Sequence, residues 1–180
     1  MMEAPLRPSL TLAIHPNTRG FGWIAFDGPF NAHDWALVHA EGDKNSKCLR
    51  SAERLLERLQ PETLVLEAFE RSSSQRADRI TRLCRGIAAL ATDRGIEVAV
   101  YRRGDVQATF ASVGARTRFE IAQAVVRHVE ALRSRLPAQR KPWQSEDKRM
   151  PLFAAAALVL THFQLGATTL FDQLSEDAAS

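Results

Sequence analysis

Residues Leu10 to Phe26, reading LTLAIHPNTRGFGWIAF, constrain the fold more than any other stretch of this chain. Leu10, Leu12 and Ile14 alternate with Thr11, Ala13 and His15, the period of a β-strand with two distinct faces. Pro16-Asn17-Thr18-Arg19-Gly20 supplies turn residues, and Phe21, Trp23 and Ala25 alternate in a second run. The stretch is expected to form an antiparallel hairpin in mid-sheet. His15 is out of keeping with that setting, because it places a polar ring at the end of a strand that should be covered.

The remaining elements are read outward from the hairpin. Asp27-Gly28 and Pro29-Phe30-Asn31 mark a turn, and Trp35 to Ala40 reads as a third strand that completes an antiparallel meander. From Cys48 to Leu59, Leu49, Leu55, Leu56 and Leu59 recur at helical spacing, with Arg50, Arg54 and Arg58 elsewhere on the cylinder. Pro61 ends that helix. Thr63-Leu64-Val65-Leu66 is then a continuous apolar run, as expected of a strand covered on both faces, and a helix between strands implies the crossover of a parallel pair.

Ile80, Leu83, Ile87 and Leu90 predict a long helix carrying Arg76, Arg79, Arg82 and Arg85, and residues 96–101 alternate as a fifth strand. Asp105 to Ala111 reads as a short helix with Asp105 near its start, and Arg118 to Arg135 as a longer one. Pro137 to Trp143 is a basic linker. Ser145-Glu146-Asp147 has the character of a helix start, and Leu152 to Phe163 is an Ala-rich helix able to lie directly on a sheet. The order describes one α/β domain over residues 10–165, between an N-terminal tail (1–9) and an acidic C-terminal tail (166–180).

With 180 residues, 45% of them apolar, one domain with a substantial core is expected. The two cysteines, Cys48 and Cys84, form no disulfide or metal-binding framework, which fits a reducing, cytoplasmic setting. The N-terminus lacks a basic-then-apolar signal layout, and the longest apolar run, Leu152 to Leu160, is too short to span a bilayer, so no membrane partner is expected. Charge is uneven: Arg71 to Arg149 holds 17 Lys and Arg against 8 Asp and Glu, Met1 to Glu70 holds 7 against 10, and Pro151 to Ser180 none against 3. The basic middle suggests a polyanion-binding face, although arginine-bearing helices are often only solvated surface.

Glu67 directly follows the apolar run at residues 63–66. A carboxylate at the C-terminal end of a central strand sits where open α/β sheets hold ligands; its plainer reading is a solvated strand end. Taken in this order, the chain resembles the RNase H-like fold and, within it, the RuvC-type Holliday junction resolvases. Ile14-His15-Pro16 through Arg19 and Gly20-Phe21-Gly22 is similar to that family's opening Asp-Pro-Gly-Ser-Arg with glycines following. Glu67 after Leu64-Val65-Leu66 resembles the second catalytic position, and AAALVLTH from Ala155 to His162 resembles a last helix ending in Thr-His.

The resemblance spans residues 10–164 and implies a mixed five-stranded sheet flanked by helices, with strands 1–3 a meander and strands 4 and 5 parallel. It also implies a homodimer that binds branched DNA, and four carboxylates holding two divalent ions, Mg²⁺ or Mn²⁺, ~3.5–4 Å apart. Glu67 matches one position. His15 stands where the first carboxylate is expected, and the two acids of the last helix fall near Pro151 and at Ala154. A histidine ligand favours Mn²⁺ or another transition ion over Mg²⁺. Glu146 or Asp147 is the substitute acid from upstream, or else complements a helix dipole; Glu70 and Asp105 have no spacing argument in their favour.

Two functions follow from this resemblance. One is a divalent-metal-dependent endonuclease on branched or structured DNA, with Glu67, His15 and Asp147 as catalytic and metal-binding residues. The other is a catalytically inactive DNA-binding or partner subunit with no cofactor. In either case phosphate contacts are expected from Arg19, Arg71, Arg76, Arg79, Arg82, Lys141, Lys148 and Arg149, with Trp143 and Phe69 as candidate stacking residues, although an aromatic is more often core than base platform.

Overall fold

The computed structural model describes residues 7–68 and 74–178, with side chains described as far as Leu165. Phe69, Glu70, Arg71 and the side chains of the expected acidic tail lie outside the described residues. The hairpin forms as expected. Strand β1 (Leu10–Pro16) pairs antiparallel with β2 (Gly20–Asp27), from Leu10 opposite Asp27 to Pro16 opposite Phe21. Strand β3 (Ala32–His39) continues the meander. Helix α1 (Lys44–Leu59) returns the chain to β4 (Thr63–Ala68), parallel to β1, and α2 (Gln75–Asp93) returns it to β5 (Glu97–Arg102), parallel to β4. The sheet order is β3-β2-β1-β4-β5. Helices α3 (Arg103–Ala111) and α4 (Arg118–His128), a 3₁₀ turn (Glu130–Arg135) and α5 (Met150–Ala178) complete the fold.

Period-two alternation in the central strands sorts their side chains onto two cores. Leu12, Ile14, Phe21, Trp23, Leu64 and Leu66 meet Cys48, Ala52 and Leu56 of α1 and Leu83 and Ile87 of α2. Ala13, Ile24, Phe26 and Val65 meet Leu152, Phe153, Ala156 and Val159 of α5 and Val125 of α4. Because β2 is covered on both sides, it is buried from Gly20 to Phe26. Alanines 155–157 let α5 lie close to the sheet, and Gly22, opposite His15, is where its first turn comes nearest: a Cβ there would sit 2.4 Å from the Pro151 carbonyl carbon. At the far end of the buried part of α5, His162 Nδ1 meets the Tyr101 hydroxyl at 2.7 Å, which ties the helix to β5.

Several boundaries differ from those expected. β3 begins at Ala32 rather than Trp35, because an edge strand with one half-covered face has too few apolar residues to mark its start. α1 begins at Lys44 rather than Cys48, with the Asp43 side chain capping the Ser46 N–H. The single helix expected from Arg118 to Arg135 is broken at Val129, whose backbone leaves the helical region, and the 3₁₀ turn that follows lets both Val129 and Leu132 reach the core. Ser145-Glu146-Asp147 does not open a helix. α5 starts at Met150, with Pro151 in its first turn, and continues beyond the expected end at Phe163.

No described helix is long and apolar enough to cross a membrane. The two cysteines are buried and unbonded, and burial pushes the Cys84 thiol up to about 12, which makes it a packing residue and not a nucleophile.

Candidate functional site

β1, β4 and β5 end side by side, so residues at their C-terminal ends share one edge of the sheet. His15 and Glu67 both point to the α5 face there, in register with Ala13 and Val65 of the α5-side core. His15 Nδ1 lies 3.2 Å from Glu67 Oε2, and each side chain is about one-sixth exposed, at 16% and 15%. Burial pushes the Glu67 carboxyl up, but its hydrogen bond to His15 and the charges of His15, Arg103 and Arg118 outweigh that, leaving it below the ordinary carboxylate range.

Together they open onto a cleft of about 200 Å³. Its floor is apolar, made by α4 and the first turns of α5; its rim carries His15, Asn17, Glu67, Arg103, Gln107, Arg116, Arg118 and Glu146. Each rim cation comes from a point where the chain turns back over the sheet edge. Arg103 follows β5 directly and opens α3, whose start is closed by the Asp105 carboxylate accepting from the Arg102 N–H at 2.7 Å. Arg116 and Arg118 flank Thr117, the residue whose hydroxyl caps α4 while Glu120 reaches back to it. Arg118 also bridges to Glu146 at 2.6 Å.

The sequence-predicted residues separate into groups. His15 and Glu67 converge; Asp147 does not join them. Its two carboxylate oxygens accept from Arg149 Nε and Nη2, both at 2.9 Å, and this fork holds its carboxyl at about 2. Arg149 is accordingly occupied by Asp147, and Glu146 is the upstream acid that reaches the cleft. Pro151 and Ala154 line the cleft as well, which places apolar surface where the resemblance implies acids.

Arg76, Arg79 and Arg82 line two shallow depressions on the opposite face, beside Lys44 and Asn45. Arg79 is partly structural, since it donates to Asn45 Oδ1 at 3.2 Å and to the Thr18 carbonyl at 3.4 Å. Arg19 is exposed on the β1–β2 turn that separates the two faces. Lys141, over the ring of the 78% exposed Trp143, and Lys148 lie on the loop before α5. Asp105 serves as a helix cap. Sequence reasoning missed Arg103, Arg116 and Arg118; Arg103 was accessible to it, because a residue directly after a parallel strand must emerge at the edge that holds Glu67.

Among the described residues, no three His, Cys, Asp or Glu side chains are grouped to hold a metal ion. Two divalent ions gathered by four carboxylates do not fit a rim with one imidazole, one ionised carboxylate, one acid already bridged to arginine, and three guanidinium groups. What the rim fits is an oxyanion, because guanidinium groups bind phosphate oxygens through paired N–H donors. The His15–Glu67 contact predicts that His15→Ala moves the Glu67 titration upward, since burial then acts against fewer favourable partners. Carboxyl carbon chemical shifts followed against pH read this directly, and an unchanged midpoint contradicts the pairing.

No family model and no curated protein matches this sequence. Solved structures do match. RuvC of Thermus thermophilus bound to a Holliday junction substrate superposes with a TM-score of 0.64 at 17% identity, over 88% of this chain and 95% of that one. A second Thermus thermophilus RuvC structure gives 0.63 at 18% identity, over 89% and 96%. The yeast mitochondrial Holliday junction resolvase gives 0.57 at 13% identity, over 95% and 86%. With its strand order, its crossovers and the placement of α5, the chain has the RNase H-like fold of the RuvC-type Holliday junction resolvases.

Proposed function

We propose that this protein binds branched or structured DNA and does so without a two-metal nuclease centre. The observation that carries this reading is the composition of the cleft at the ends of β1 and β4, where His15, Pro151 and Ala154 stand in place of the expected acids and arginines line the rim. Support for DNA as the polyanion comes from the fold shared with a resolvase bound to a Holliday junction and from the basic central segment. Arg76 and Arg82 on one face, Arg19 on the turn, and Arg103 and Arg116 on the other give a strand a cationic path around the sheet edge. A homodimer, as the resemblance implies, belongs to this proposal, and sedimentation equilibrium reads it.

The test is fluorescence anisotropy with a four-way junction in EDTA at several salt concentrations. With these five arginines on phosphates, log K is expected to fall with log salt at a slope of about −4.5, and Arg76→Ala with Arg82→Ala to flatten it by about 2. Absence of binding at low salt, or a slope near zero, overturns the reading. Parallel samples with Mn²⁺ in place of EDTA should yield intact strands; cut products that disappear in Glu67→Ala would establish the endonuclease reading instead.

A further inference from the structure

We propose that the cleft beside His15 and Glu67 takes a single nucleotide, its base on the apolar floor and its phosphate on Arg103 and Arg116, with no metal ion involved. This rests on the DNA-binding reading above and assigns a ligand to that site. Its first support is the mixed lining. Phosphate alone needs only the cationic rim, yet the half-buried lining includes Val106, Ile121, Met150 and Ala154, packed over the buried Phe153, an apolar surface that a bare anion leaves uncovered. A ligand that satisfies both parts has a flat apolar body and an anionic end.

Size is the second support. At about 200 Å³ the cleft is smaller than the ~300–1,000 Å³ pockets that enclose drug-sized molecules, so it holds one base and not a base pair. The polar groups on its wall also match a base edge. Asn17 Oδ1 already accepts from the Arg19 and Gly20 N–H groups, each at 2.9 Å, which leaves its amide nitrogen as a donor. Gln107 adds an amide donor and acceptor from α3.

Charge placement is the third. Arg118 is bridged to Glu146, so the phosphate falls to Arg103 and Arg116. The first turns of α3 and α4 both line the cleft, and their positive dipole ends add to the same potential. Glu67, ionised beside His15, repels a phosphate from the sheet side and so favours an orientation with the phosphate at the rim.

Calorimetric titration in EDTA with inorganic phosphate, deoxyadenosine and deoxyadenosine monophosphate tests the assignment. The monophosphate should bind about tenfold more tightly than either fragment, since it gains floor burial and ion pairing together. Arg103→Ala with Arg116→Ala should bring it to the level of the nucleoside. Ala154→Phe, which fills the cleft, should abolish both, and Ala154→Asp provides a smaller change should the phenylalanine disturb α5. A four-way junction carrying 2-aminopurine at an unpaired position separates the sources. A fluorescence change lost in Ala154→Phe identifies a nucleotide of the strand; no change, with the free monophosphate still binding, identifies the free nucleotide. A monophosphate that binds no better than phosphate, or that ignores both Ala154 variants, overturns the proposal. If the junction still binds in that case, only the nucleotide assignment is lost; if junction binding is absent, the DNA-binding reading falls as well.

Discussion

Gly22→Ala is expected to cost about 3 kcal/mol of folding stability or more, the upper range for overpacking a well-packed interior. The added Cβ would stand 2.4 Å from the Pro151 carbonyl carbon, 2.5 Å from the Leu152 nitrogen and 2.6 Å from the Pro151 oxygen. All three are backbone atoms, so no side chain can swing aside, and either β2 or the start of α5 must move. Moving α5 disturbs Leu152 and Phe153, both buried to within 1%. Gly104→Ala is the matched control: it meets nothing within 4 Å and sits in the first turn of α3, where alanine should be neutral or stabilising by up to about 1 kcal/mol. Urea unfolding of both variants reads the difference. The result also bears on the site, because the close approach at Gly22 brings Pro151 and Ala154 over His15. A Gly22→Ala protein as stable as the parent means that α5 does not lie where it is described.

The second large effect is a gain. His15→Asp with Ala154→Asp puts carboxylates at two positions on the cleft wall beside Glu67. Each carboxylate charge about 4 Å from a divalent ion contributes about 8 kcal/mol at an effective dielectric near 20, before the opposing fields of Arg103 and Arg118 are counted. The double variant is expected to bind Mn²⁺ or Mg²⁺ about a hundredfold more tightly than the parent. Calorimetry or Mn²⁺ electron paramagnetic resonance measures this. The same change should weaken nucleotide binding, since a carboxylate then occupies the apolar floor. If the variant folds and gains no metal affinity, His15, Glu67 and Ala154 do not face one another across the cleft.

These outcomes depend on features that differed in how plainly the sequence displayed them. The hairpin was legible because Leu10 to Phe26 alternates without interruption and its turn residues are distinctive. β4 was legible for the opposite reason: Leu64, Val65 and Leu66 are buried on both faces, so their run is unbroken. β3 blurred at its start because an edge strand mixes exposed and half-covered residues. The break at Val129 could not be read, since Val126, Val129 and Leu132 keep a helical spacing even though the chain changes its helical form between them.

The convergence of His15 and Glu67 was also legible, because parallel neighbours of matched length bring their ends together. Asp147 was misplaced by treating a short chain distance from α5 as spatial proximity to the cleft; the Arg149 fork two residues on takes both of its oxygens. Arg116 and Arg118 were hidden for a related reason. They reach the cleft through the packing of α4 against α5, a tertiary contact with no local signature.

On the reading proposed above, the strand-end cleft binds an anion and holds no metal ion. Titration of the unmodified protein with Mn²⁺, followed by electron paramagnetic resonance of the free ion, tests it most directly. The free signal should grow in proportion to added Mn²⁺, as it does in buffer, and should be the same in Glu67→Ala. A saturable loss of free Mn²⁺ in the parent that disappears in Glu67→Ala would contradict the account and return the site to metal-dependent chemistry.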